Sequence, residues 1–220
     1  MSTVYYIGDS TVARNNIRSY PQTGMSQGLS LYLKEAVRIE SHAKNGRSNK
    51  SFLEEGRFDP VQPAMQPGDI RFIQFGHNDE KPDAARHTDP QASFPENLRL
   101  FIRAARKAGA YPVLITPIAR RLFDGAGNFL PGSHGDYPEA VRRTGWEEDV
   151  PVIDLTAATE EFLARMGDEE SRPLFVWPKD NTHLKYEGAV KMAGFLAEGL
   201  ARLGGPYAAL LAGEDEGADR

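Results

Sequence analysis

Short apolar runs alternate with longer amphipathic stretches along most of the chain, which is the pattern of βαβ units. Residues 4–7 read as a compact strand that stops at Gly8-Asp9-Ser10. Residues 26–34 then read as a helix, with Leu29, Tyr32 and Leu33 on one face. A weaker strand at 37–39 leads into the polar loop Lys44-Asn45-Gly46-Arg47-Ser48, and Asn49-Lys50-Ser51 reads as a polar helix start. Gly68-Asp69 precedes a strand at 70–75 that stops at Gly76-His77-Asn78-Asp79. A helix over 95–108 follows, with Leu98, Phe101, Ile102 and Ala105 at spacings of three and four, and Gly109 as its stop. Strands at 113–115 and 152–153 and a last helix at 186–203 complete the count.

Five strands with intervening helices predict a three-layer α/β/α fold: a five-stranded parallel sheet of flavodoxin-like order, forming one domain over residues 1–212. Ligands of such sheets sit beyond the carboxyl ends of the strands. Ser10, Asn45-Gly46 and Asn78 each fall just past a strand end, so a parallel sheet puts all three on one edge. The Gly- and Pro-rich segment 117–138 is long for a compact domain and is the expected specificity loop, with His134 read as a surface histidine. Residues 213–220 are acidic and nearly free of apolar side chains, so disorder is expected there.

Composition narrows the chemistry. The 220 residues include no Cys, which removes thiol nucleophiles, Cys-ligated zinc and iron–sulfur clusters. The net charge of −5 argues against a nucleic-acid partner, and no apolar run approaches the roughly 18 residues of a membrane span. The first ten residues have neither a basic n-region nor an apolar h-region. They read as the start of a cytoplasmic protein or of one whose leader has been removed.

Acyl transfer needs a nucleophile, a base, a group that orients the base, and donors for the oxyanion. Ser10 lies on a sharp strand exit. Asp180 and His183 are three residues apart, a spacing that lets the carboxylate return onto Nδ1 and frees Nε2 to take a serine proton. The Ser10 amide, the Gly46 amide and the Asn78 side chain supply three oxyanion donors. A rival nucleophile, Ser26, sits in Gly24-Met25-Ser26-Gln27-Gly28, a match to G-x-S-x-G. That motif needs a buried strand before it, and residues 19–23 are polar with a proline, so Ser26 reads instead as a helix N-cap.

The four blocks Gly8-Asp9-Ser10-Thr11, Asn45-Gly46-Arg47-Ser48, Gly76-His77-Asn78-Asp79 and Asp180-Asn181-Thr182-His183-Leu184 occur in the order of the SGNH/GDSL hydrolases. In these variants the chain most resembles the rhamnogalacturonan acetylesterases, the type of carbohydrate esterase family 12. The resemblance implies a metal-free, cofactor-free serine esterase that removes acetyl groups from pectic oligosaccharides. It implies Ser10, Asp180 and His183 as the triad and Gly46 and Asn78 as oxyanion donors.

The runner-up reading is a short-chain acyl esterase acting on another acetylated sugar, such as a xylo-oligosaccharide. A metal-dependent phosphoesterase is disfavoured because the Asp-x-His and Gly-Asn-His patterns of dimetal sites are missing. A non-catalytic sugar-binding scaffold is disfavoured because every expected catalytic residue type is present. An acetylated uronate-containing substrate is anionic, so Arg47, Arg120, Arg121 and Lys179 are the candidate substrate contacts by position. Trp177 either stacks on a sugar face or packs the loop before Asp180.

Overall fold

The computed structural model of the chain describes residues 2–213. The acidic segment expected to be disordered lies, from Glu214 onward, outside the described residues. In chain order the elements are β1 (Thr3–Gly8), α1 (Met25–Gly28), β2 (Arg38–Ser41), α2 (Asn49–Glu54), β3 (Ile70–Gln74), α3 (Ser93–Lys107), β4 (Tyr111–Ile115), α4 (Tyr137–Glu147), β5 (Val152–Ile153), α5 (Leu155–Met166), α6 (Asp168–Ser171), α7 (Tyr186–Leu203) and α8 (Gly205–Ala208). All strand pairs are parallel, in the order β2-β1-β3-β4-β5, as the sequence predicts.

Side-chain alternation builds the two outer layers. Val4, Tyr6, Ile70, Phe72, Val113 and Ile115 face one apolar cluster, which they share with Met25 of α1, Leu163 of α5 and Leu196 of α7. Tyr5, Ile7, Ile73 and Leu114 face the other, against Phe52 of α2, Phe101 of α3 and Val141 of α4. Burial on both faces explains why β1 and β4 are written as nearly continuous apolar runs, whereas β3 also buries Arg71 and Gln74. The edge strand β2 is only half-buried, and it starts one residue later and ends two residues later than its weak apolar pattern predicts.

The helix expected over 26–34 is corrected. Only Met25–Gly28 is α-helical, followed by a 3-10 turn at Leu29–Leu31. Leu29 and Leu33 are buried as their spacing implies, but Gly28 packs α1 directly on α7. A Cβ there would sit 2.6 Å from the Ala189 carbonyl oxygen. Ser26 is likewise not the N-cap: Gly24 holds that position, and Ser26 lies inside the helix with its buried hydroxyl unpartnered. The helix start at Asn49 is found, with Ser48 as its cap.

Candidate active site

The turn after β1 is set by Asp9. Its Oδ1 accepts from the Thr11 N–H at 2.9 Å and the Thr11 hydroxyl at 2.8 Å, and its carbonyl accepts from Ala13. The chain therefore reverses sharply, with Ser10 at the tip. At the other end of the chain, an antiparallel bridge between Phe175 and Leu184 closes the base of a loop that carries Asp180 and His183. Both bridge residues are fully buried, so the loop rises from a fixed footing.

Within that loop Asp180 Oδ1 accepts the backbone N–H groups of Thr182 at 2.7 Å and His183 at 2.8 Å. Its Oδ2 lies 2.7 Å from His183 Nδ1, and His183 Nε2 lies 2.8 Å from Ser10 Oγ. Residues 173 positions apart in sequence thus form one unbroken hydrogen-bonded line. With Nδ1 donating to the carboxylate, Nε2 is the acceptor that faces the serine hydroxyl. Burial would push the Asp180 carboxyl up, but the hydrogen bonds from the His183 backbone and ring and from Thr182 outweigh it. They hold the carboxyl below its ordinary value.

The other two loops adjoin because their strands flank β1. Gly46 follows β2 with φ +77°, a conformation that costs little only without a Cβ, and the space a Cβ would enter is open. The backbone N–H groups of Ser10 and Gly46 meet no acceptor among the described residues. Asn78, after β3, donates from Nδ2 to the Arg47 carbonyl at 3.3 Å, and its Oδ1 accepts from Arg86 at 3.4 Å. Those two contacts fix which end of the amide is which and leave a second Nδ2–H. Beneath it, Asp79 accepts from the N–H groups of Asn49 and Gly76 and from the Thr88 hydroxyl. Burial pushes this carboxyl up to about 8.

The expected substrate cations have other partners. Arg47 is bound to Glu55 and to the Asn45 carbonyl. Arg121 is 2% exposed, pairs with Asp168, donates to Ser171 and lies over the Trp177 ring, so its expected substrate contact is corrected to a buried structural role. Trp177 remains 40% exposed with Arg121 at 4.5 Å from its ring centroid. Lys179 is exposed and has no ion-pair partner among the described residues.

Arg120 lies in the floor of the site. It donates to Thr182 Oγ1 at 2.6 Å and to the His77 carbonyl at 3.2 Å, and it pairs with Glu80. Glu80 in turn meets His134 Nδ1 at 2.9 Å, while His134 Nε2 lies 2.8 Å from the Ile118 carbonyl oxygen. The expected surface position of His134 is therefore corrected: the 117–138 segment folds back and buries this ring edge-on against His77. Burial pushes His77 down to about 4, which leaves its imidazole neutral beside Asp9 at neutral pH. None of Glu80, His77 or His134 stands out in sequence, because their partners lie dozens of residues away.

This floor joins the Asn78 loop to the Asp180–His183 turn, which gives Arg120 a measurable signature. Arg120→Ala is expected to lower kcat on a small acetyl ester by about 10–100-fold through misplacement of the turn, with KM nearly constant. Arg120→Lys should recover only part, since one ammonium cannot span the three acceptors that the guanidinium fork reaches. Steady-state kinetics on both variants test this; a rise in KM at constant kcat would instead mark Arg120 as a substrate contact.

Among the described residues no three His, Asp or Glu side chains are grouped to hold a metal ion, and no helix is long and apolar enough to cross a membrane. Residues 6–190 match the GDSL-like Lipase/Acylhydrolase family. The chain is 40% identical to the rhamnogalacturonan acetylesterase RhgT of Bacillus subtilis (strain 168), over 92% of this chain and 91% of the relative. It is 37% identical to the probable rhamnogalacturonan acetylesterase YesY of the same organism, over 92% and 94%. The crystal structure of Bacillus subtilis YxiM superposes with a TM-score of 0.82 at 27% identity, covering 92% of this chain and 56% of that one.

Proposed function

Since the chain belongs to the GDSL-like lipase/acylhydrolase family, a family of carboxylic ester hydrolases, we propose that it removes acetyl groups from rhamnogalacturonan-type oligosaccharides through Ser10, His183 and Asp180. The observation that carries this reading is the line from Ser10 Oγ through His183 to Asp180, with both links below 3 Å.

In this mechanism His183 Nε2 takes the hydroxyl proton as Ser10 Oγ attacks the acetyl carbonyl carbon. Asp180 keeps Nδ1 protonated and stabilises the imidazolium that forms. The charge on the former carbonyl oxygen falls to the N–H groups of Ser10, Gly46 and Asn78, donors that need no rearrangement at that moment. His183 then gives its proton to the departing sugar oxygen, leaving acetyl-Ser10 and a free hydroxyl on the sugar. Water enters, His183 takes its proton, and the same donors hold the second tetrahedral oxyanion. Collapse releases acetate and returns the proton to Ser10.

The test is acetate release from acetylated pectic oligosaccharides, acetylated xylo-oligosaccharides and acetyl-CoA at matched concentrations. Preferential release from the pectic set is the expected result. Equal release from all three would reduce the reading to a general short-chain esterase, and release from the xylan set alone would replace the substrate.

A further inference from the structure

The loop that follows Ser10 is tied to the Gly46 loop and to the loop that carries His183. Asn15 Oδ1 accepts from Asn45 Nδ2 at 3.1 Å, beside Gly46. Gln22 Nε2 donates to the Ser10 carbonyl at 3.3 Å, and the Thr23 N–H donates to the Leu184 carbonyl at 2.8 Å, beside His183. Between these tethers the loop presents Ile17 at 84% and Tyr20 at 79% exposure, the most exposed large apolar groups near the site. Ile17 and Tyr20 lie three positions apart on this tethered loop, both open to a ligand of the cleft.

The loop is also cationic in an acidic protein. No Asp or Glu occurs between Asp9 and Glu35, although the whole chain carries a net charge of −5. Arg14 and Arg18 are exposed, and neither guanidinium has a partner among the described residues; Lys44, on the adjoining loop, is in the same state. Arg47, Arg120 and Arg121 are by contrast bound to Glu55, Glu80 and Asp168. An exposed phenol ring on the same loop as unpaired guanidinium groups has a definite chemistry. The ring takes the C–H face of a pyranose, and the guanidinium takes a carboxylate in bidentate fashion.

We infer that the 14–23 loop is a subsite for uronate residues flanking the acetylated sugar, with Tyr20 as its stacking platform and Arg14 and Arg18 as its carboxylate contacts. The inference rests on the proposed sugar acetylesterase activity and names the residues that read the charge of the substrate.

The test compares kcat/KM on an acetylated galacturonate-containing oligosaccharide, an acetylated xylo-oligosaccharide and p-nitrophenyl acetate. The double variant R14Q/R18Q is expected to lower the acidic-to-neutral oligosaccharide ratio about tenfold, the scale of two exposed charge contacts. Tyr20→Ala should lower both sugar rates relative to p-nitrophenyl acetate, and Tyr20→Phe should restore them. Equal loss on all three substrates, or no change in the ratios, would overturn the subsite. Calorimetric titration of the wild type and R14Q/R18Q with unacetylated oligogalacturonate separates the two readings. Arginine-dependent binding without acetate release from any sugar would sink the acetylesterase reading and leave the subsite standing. Acetate release with binding indifferent to both arginines would do the reverse.

Discussion

Ser10→Ala is expected to lower kcat/KM on an acetyl ester by about 10⁴-fold or more, because it removes the atom that carries the acyl group in the proposed mechanism. The substitution deletes one oxygen from a half-open site and leaves the Asp180–His183 pair intact, so the melting temperature should move little. Ser26→Ala is the matching control. Its hydroxyl is buried without a partner, a state that costs about 1–3 kcal/mol, so its removal should leave turnover near that of the parent and stability equal or slightly higher. Loss of activity in Ser26→Ala and survival in Ser10→Ala would move the nucleophile to the G-x-S-x-G match.

Asp180→Asn is the second large effect, at about 10⁴-fold in kcat. An amide keeps an oxygen for the Thr182 and His183 N–H groups, so the turn should survive. What changes is the ring: without a carboxylate on Nδ1, the tautomer with hydrogen on Nε2 is favoured, and that nitrogen no longer accepts from Ser10. The same carboxylate sets a pH dependence of stability. Its folded value lies below the unfolded one of about 3.9, so its contribution is complete above that value and disappears as pH falls through the folded value. Thermal scans through the acid range should show a shallower decline for Asp180→Asn than for the parent. An equal decline would contradict the hydrogen-bonded carboxylate, and wild-type kcat in the variant would remove Asp180 from the mechanism.

What the sequence reveals depends on the range of the interaction. β1 and β4 are legible because burial on both faces leaves little room for polar residues, and β3 because Ile70, Phe72 and Ile73 outweigh its buried Arg71 and Gln74. β2, with one flank uncovered, carries a weak signal, and its predicted ends miss by one and two residues. The stretch after Gly24 has genuine helical spacing, yet close packing of α1 on α7 at Gly28 accompanies a break into a 3-10 turn that spacing alone does not encode. The residues of the proposed triad are marked by local patterns, a Gly-Asp-Ser exit and an Asp-x-x-His turn. The floor of the site is not. A charge count nominates Arg47, Arg120 and Arg121 as substrate contacts, whereas only the fold brings Glu55, Glu80 and Asp168 to them. His134 looks like a loop histidine because its neighbours are Gly and Pro. The segment's return onto His77 and Glu80 buries it.

The long separation between Ser10 and His183 has a consequence for biosynthesis. The imidazole is synthesised 173 residues after the serine. Until the segment through α7 has emerged and packed on α1, a growing polypeptide holds the Ser10 hydroxyl without the His183 ring. On the proposed mechanism, chains that stop short of His183 are expected to cleave no ester.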